Sequence, residues 1–285
     1  MGIETQKLPV LEDDGLITPD VGFWAEKKYR LVQNYAGMFA ASMKGKWDHL
    51  VYVDLFAGAG RSLLRDSNRI VAASPLLALD IPSPFTRYIF CELDEEKIAA
   101  LQQRVGRDYE QHDVRFLHGD ANSLVDRILA EMPRPHRGCK VLGFCFADPY
   151  NLENLSFDTI RQLAQRFFDF LVLIPTGMDA RRNMAIYEAK PGSKLDIFLG
   201  AADWREAWRE AQQRCEGVEL FLTRYYGERM ASIEYKPTEP QETVAIRNEK
   251  NSTIYRFGFY SRHNLAKKFW QQVKKYSDDQ LDFGF

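Results

Sequence analysis

Residues 50–56, LVYVDLF, form an apolar run too short for a core helix and rich in valine and aromatic side chains. The run ends directly in the glycine-bearing turn AGAGRS at 57–62. A segment apolar at nearly every position suits a strand buried on both faces, the situation of parallel sheets covered by helices on each side. Gly58 and Gly60 let the backbone turn sharply and present a surface without a Cβ, and the turn is expected to lead into a helix. Together these features restrict the chain to an open α/β architecture whose first strand delivers a ligand-binding turn.

The same rhythm continues along the chain. A strand at 88–91 precedes a helical pattern at 94–105 carried by Ile98, Leu101 and Val105, and a strand at 114–117 precedes one at 122–132 with Asn122 as its expected N-cap. A strand at 141–146 leads through DPYNLENL to a helix at 157–168, and a fifth strand follows at 170–175. Five strand–helix alternations require crossover connections, hence a mostly parallel sheet with helices on both faces. A helix at 23–43 comes before the first strand. After Thr176 the rhythm breaks into helices, among them DWREAWREA at 203–211, whose Trp204, Ala207, Trp208 and Ala211 share one stripe. Strands at 243–247 and 254–261, separated by NEKNS, suit an antiparallel edge hairpin, and a lysine-striped helix at 264–277 closes the chain. The expected division is a tail and helix at 1–46, a core at 47–177, a helical insertion at 178–240 that acts as a lid or a docking surface, and a closing hairpin and helix at 241–285.

Successive strand ends deliver carboxylates: Asp54 in YVDLF, Glu92 in FCELD, Asp120 in LHGDA and Asp148 in FADPY. One such residue alone caps a turn; an ordered set of four at the ligand-binding edge of the sheet points to chemistry. A carboxylate after the second strand can accept from two ribose hydroxyls, one after the third from an adenine amine, and Asp54 can take an ammonium group. The set suits an adenosine that carries a positively charged amino acid.

These segments resemble motifs I to IV of the class I S-adenosylmethionine-dependent methyltransferases over residues 47–175. The resemblance implies a Rossmann-like fold with a seven-stranded, mostly parallel sheet, S-adenosyl-L-methionine as cofactor, and Asp54, Phe56, Ala57, Gly58, Gly60, Glu92, Leu93, Asp120, Ala121 and Asp148 as its binding residues. A dinucleotide-binding reading fits less well, because Leu63 stands where the third glycine is expected and Glu92 lies 32 residues beyond Gly60. The leading W-x-x-K-K of Trp24, Lys27 and Lys28 and the closing YRFGFYSRH at 255–263 resemble the three-Cys-motif partner protein (TcmP) family, which implies a three-cysteine-motif protein as partner; where that family has glycine after the D-P-aromatic triplet, this chain has Asn151.

DPY resembles the motifs of enzymes that methylate exocyclic amines of nucleobases. It implies that Asp148 and the Pro149 carbonyl accept the amine's hydrogens while Tyr150 stacks on the extruded base, with Asn151, Arg181 and Arg182 on the substrate side and nucleic acid as substrate. A cytosine-C5 mechanism needs a nucleophilic cysteine, usually in a Pro-Cys pair, which the sequence lacks; Cys145 lies inside a strand and reads as core.

Charge narrows the substrate question. Residues 1–20 hold five acids against Lys7, a net of −4, so the overall −2 leaves +2 on the remainder. This near-neutral balance excludes indiscriminate coating of nucleic acid and permits an enzyme that grips few phosphates. The four cysteines form no C-x-x-C and the five histidines show no i, i+4 spacing, so no metal is assigned. No apolar run approaches the roughly 20 residues of a membrane span and the polar start lacks the layout of a secretory signal, so no membrane partner and a cytoplasmic location are expected.

Overall fold

The computed structural model describes residues 8–278, with the side chains at 178–179 and 276–278 excepted; 1–7 and 279–285, the outer ends of the first and last expected segments, lie outside the described residues. The chain enters through a two-residue strand, β1 (Asp20–Val21), and helix α1 (Trp24–Met43). Tyr29, Val32, Tyr35, Ala36 and Phe39 recur at three- and four-residue spacing along α1 and are buried against the sheet. Strand β2 (His49–Asp54) follows, then a hairpin of β3 (Arg61–Leu64) and β4 (Arg69–Ala72), and helix α2 (Ser74–Leu79). The parallel series continues with β5 (Arg87–Glu92), α3 (Glu95–Asp108), β6 (Val114–His118), α4 (Val125–Glu131), β7 (Val141–Ala147), α5 (Phe157–Leu163) and β8 (Phe168–Ile174). Four helices come next, α6 (Met178–Ala189), α7 (Lys194–Leu199), α8 (Trp204–Gln213) and α9 (Val218–Ala231). Strands β9 (Val244–Arg247) and β10 (Thr253–Tyr260) and helix α10 (Asn264–Asp278) close the described chain.

Seven strands form one sheet in the order β6-β5-β2-β7-β8-β10-β9. The first five are parallel, and β10 runs antiparallel to both β8 and β9. This is the mostly parallel, Rossmann-like sheet of the class I methyltransferase fold. Alternation along each strand divides the core in two. Val51, Val53, Ile89, Cys145 and Val172 face Ile128 of α4, Ile160 of α5 and Tyr226 of α9. Tyr52, Tyr88, Phe90, Phe144 and Leu171 face Tyr35 and Phe39 of α1, Leu101 of α3 and Trp270 of α10.

Three expectations need correction. The Gly58–Gly60 turn opens into the β3–β4 hairpin, not a helix, because Ser62 and Leu64 pair against Val71 and Arg69 and the Ala73 amide closes the base on the Gly60 carbonyl at 2.8 Å. Helix α5 stops at Leu163, since Phe168 and Phe170 are drawn into the sheet core and lengthen β8 at its start. Asn122 does not cap α4; it donates to the Asn154 carbonyl at 3.0 Å and accepts from the Ser156 amide at 2.8 Å and the Thr159 hydroxyl at 2.7 Å. It thereby ties the loop after β6 to the loop after β7.

Candidate active site

After β2 the chain builds outward on one side through β5 and β6, and returns on the other through β7 and β8. The crevice at such a reversal, outside the carboxyl ends of the strands, is where open α/β sheets bind ligands. Asp54 pairs in register with Phe146, so Asp148 emerges two residues beyond it on the neighbouring strand. The loops around the crevice are knitted by backbone bonds: the Ala57 amide donates to the Cys91 carbonyl at 2.8 Å and the Gly119 amide to the Glu92 carbonyl at 2.9 Å.

Asp54 lies beneath the turn rather than on its surface. Its side chain is fully buried and accepts from the Phe56 amide at 3.1 Å, the Tyr52 hydroxyl at 3.4 Å and the Ser74 side chain. Burial raises its pKa to about 7; the bonds from Ser74 and Phe56 oppose the rise, and Asp148 and Glu92 add to it. What Asp54 holds directly is the turn. Glu92 accepts the Gly58 amide on one oxygen at 2.8 Å and the Asp94 amide on the other at 2.9 Å, which fixes its carboxylate beside the glycine turn.

Gly58 has φ +62° and a Cβ there would meet nothing within 4 Å, so the turn presents a bare surface with room for a ligand. Phe56 is half-buried and Ala57 and Ala121 are buried, whereas Leu93 is 62% exposed. Asp120 is exposed and accepts from the Asn122 amide at 3.1 Å. These residues stand at or just after the carboxyl ends of β2, β5 and β6.

On the β7 side, Pro149 is buried and Tyr150 is 85% exposed, an aromatic ring held out into solvent by a rigid dipeptide. Asp148 is ion-paired with Lys28 of α1, whose ammonium also lies 5.0 Å from the centroid of the Tyr29 ring. Burial alone would lower the Lys28 pKa, but the Asp148 carboxylate, with Tyr29 and Tyr255, holds it above the ordinary lysine range. Burial raises the pKa of Tyr255 on β10; the Asp148 charge adds to the rise and the Lys28 charge opposes it.

Other expected substrate residues are engaged elsewhere. The Asn151 side chain caps the short 3-10 turn Leu152–Asn154, accepting from the Glu153 amide at 2.9 Å. Arg181 pairs with Glu219 at 2.7 Å and reaches Ser252 and the Thr253 carbonyl at 3.3 Å, so it fastens α6 to α9 and β10. Arg182 is exposed. Cys145 is fully buried and its thiol is pushed well above its ordinary pKa by burial, which leaves no thiolate for a covalent mechanism. Among the described residues, no group of three or more His, Cys, Asp or Glu side chains could hold a metal, and no helix is long and apolar enough to cross a membrane.

The participation of Lys28 had a signal in the sequence. Lys28 lies four residues before Val32 and seven before Tyr35, so it continues the buried stripe of α1 as a charge where an apolar residue is expected. Tyr255 gave no such signal, because its neighbours are set by the docking of β10 in the sheet, where it pairs with Ile246 of β9.

No family model matches the chain, and no curated protein matches it in sequence. Solved structures do. A Legionella pneumophila protein of family DUF519 aligns over 87% of this chain and 91% of its own at 13% identity and a TM-score of 0.48. The O-methyltransferase of Bacillus cereus, in complex with SAH, aligns over 87% and 84% at 13% identity and 0.48. Trm1 from Pyrococcus horikoshii, with S-adenosyl-L-methionine, aligns over 93% and 63% at 10% identity and 0.44. At such values these likenesses carry no argument about function, and the fold assignment rests on the strand order itself.

Proposed function

We propose that this chain is an S-adenosylmethionine-dependent methyltransferase that acts on an exocyclic amine of a nucleobase in DNA or RNA. The observation that carries the reading is the assembly, at one strand-end crevice, of a bare glycine turn with a fixed Glu92 on one side and Asp148, Pro149 and an 85% exposed Tyr150 on the other. When bound, the cofactor supplies a methyl on sulfonium, so that the amine's lone pair forms the N–C bond while the S–C pair stays on sulfur.

The chain's residues bind and orient. Each Glu92 oxygen already accepts one amide and keeps a lone pair for a ribose hydroxyl. Leu93 offers apolar surface to an adenine ring and Asp120 an acceptor for its amine. Asp54 braces the turn and, when ionised, adds negative charge beneath the cofactor's ammonium. Asp148 accepts one hydrogen of the substrate amine and takes the proton that the nitrogen loses, and Tyr150 stacks on the base. Orientation supplies most of the rate, since the donor is already reactive.

The finer resemblance to the three-Cys-motif partner proteins belongs to this proposal. Lys28 of the opening motif is ion-paired with Asp148, and the Asp148 charge acts on Tyr255 of the closing motif, which supports the reading. A partner role is therefore a second outcome to test. With tritiated S-adenosylmethionine, the wild type is expected to label total RNA or denatured genomic DNA and Asp148→Ala to lose at least about a hundredfold of that rate. Equal labelling by both proteins overturns the site, and labelling only after a three-cysteine-motif protein is added supports the partner reading.

A further inference from the structure

Asp148 does not meet the crevice alone. Lys28 donates to its Oδ2, and the two side chains are mostly but not wholly covered, at 14% and 19% exposure. Lys28 is fixed by α1, whose neighbouring Tyr29 hydroxyl is bonded to Ser62 at 2.7 Å; Asp148 is fixed by the end of β7. One of the ammonium's three N–H bonds points at Asp148; an ammonium carries no acceptor and a carboxylate no donor. The acceptor side of the site is thus a rigid pair of opposite hydrogen-bonding character, a donor beside an acceptor, next to the exposed Tyr150 ring.

Such a pair is complementary to an edge that shows a donor and an acceptor side by side. Adenine offers its 6-amino group beside N1, and cytosine its 4-amino group beside N3. Guanine's 2-amino group is flanked on the Watson–Crick edge by N1–H, a second donor that would face the ammonium. Its other neighbour, N3, is an acceptor but lies beside the glycosidic bond, where the sugar crowds the approach. An unpaired donor set against a fixed cation carries a larger penalty than a missing contact.

Resting on the nucleobase-amine reading, we infer that Lys28 is a specificity-determining residue: Asp148 accepts from the amine while Lys28 donates to the adjoining ring nitrogen, so the methyl acceptor is the amino group of adenine or cytosine and not that of guanine. Before transfer the Asp148 carboxylate holds Lys28 in its ammonium form, and the proton released by the alkylated amine then goes to Asp148. The cation also disfavours acceptors that carry positive charge of their own, such as a protein lysine.

The experiment uses the full chain, tritiated S-adenosylmethionine, and single-stranded RNA and DNA oligonucleotides in which adenine, cytosine or guanine is the only base bearing an amine. A fourth oligonucleotide carries 1-deazaadenine, which keeps the amine and lacks the ring acceptor. Wild type is expected to label the adenine or the cytosine oligonucleotide at least about tenfold faster than the guanine one. Lys28→Met is expected to lose about ten- to a hundredfold on that preferred base, with Lys28→Arg restoring part of the rate. Where adenine is preferred, the 1-deaza substrate is expected to be slow with wild type and no slower with Lys28→Met. Thermal melting and S-adenosylhomocysteine binding by both variants verify that they fold.

Preference for guanine, or an equal loss on every substrate including the deaza analogue in a folded Lys28→Met, overturns the inference and leaves the nucleobase reading standing. Label on no oligonucleotide, with transfer to protein or small molecules of a cell extract, overturns both. RNA against DNA identifies the polymer without bearing on the base.

Discussion

Gly58 and Gly60 share one turn and resist substitution for different reasons. A Cβ on Gly60 would stand 2.7 Å from Leu101 Cδ1 and 3.2 Å from Leu76 Cγ at φ +83°, so Gly60→Ala is expected to cost about 2–4 kcal/mol in urea unfolding. On Gly58 it meets nothing, so Gly58→Ala is expected to cost only about 1 kcal/mol of backbone strain and to weaken cofactor binding instead, by filling the bare face. Asp54 supplies a second signature. Its pKa near 7 leaves it largely protonated below neutrality, and an ammonium bound above it favours the charged form and lowers that pKa. Cofactor binding slightly below pH 7 is therefore expected to release a proton, seen as a buffer-dependent calorimetric heat that Asp54→Asn removes. Equal heats in buffers of different ionisation enthalpy contradict this. At this scale the sequence displayed the contiguous D-P-Y and the strand-end carboxylates, but the partner of Asp148 lies 120 residues away, and only the docking of α1 brings it in. Asn151, by contrast, looked like a substrate contact because it follows the motif, and it is consumed by the cap of the next turn.

At the scale of elements, the segment before β1 is fastened to the glycine turn by α3. Arg104 is fully buried and donates to Asp14 at 2.7 and 2.9 Å, to the Ile17 and Leu16 carbonyls, to the Thr18 hydroxyl, and to the Ala59 carbonyl at 2.6 Å. Removing one partner of such a pair strands the other, so Arg104→Met is expected to cost about 3–5 kcal/mol and to loosen the turn, with weaker cofactor binding as the second readout. The Arg104 bond, with Arg104 and Arg61 charge, holds the Asp14 carboxyl well below the usual range despite burial. A depressed pKa stabilises the fold above the unfolded value near 3.8 and is lost as pH falls below it, so Asp14→Asn is expected to flatten the acid limb of unfolding. Four of the five parallel strands were legible because each is a short run buried on both faces, whereas the edge strand β6 buries only Leu117 and was legible from its place before a helical pattern. The β3–β4 hairpin was not, because its strands are four residues each, bear arginines, and follow a turn that in related patterns opens a helix.

At the scale of the whole molecule, two buried carboxyls among the described residues have pKa values near 7, Asp54 under the crevice and Asp169 on β8 against Tyr35 and Ser261, both raised chiefly by burial. The folded chain binds these protons where the unfolded chain has lost them, so stability falls as pH rises from about 4 to about 7 and levels off above. Urea unfolding of Asp54→Asn/Asp169→Asn is expected to remove most of that slope, and an unchanged slope contradicts the assignment. The insertion also takes its character at this scale: Phe198, Trp204, Trp208 and Tyr226 are buried in the core shared with β7 and β8, so its aromatic stripe stabilises the fold and is not a free docking face. The account depends on the strand-end crevice being the cofactor site, which calorimetric titration of S-adenosylhomocysteine into wild type and Glu92→Ala tests most directly. The expected result is saturable one-to-one binding that Glu92→Ala weakens by about ten- to a hundredfold, the worth of hydrogen bonds to a charged group; no binding by the wild type, or equal affinity of the two proteins, contradicts it.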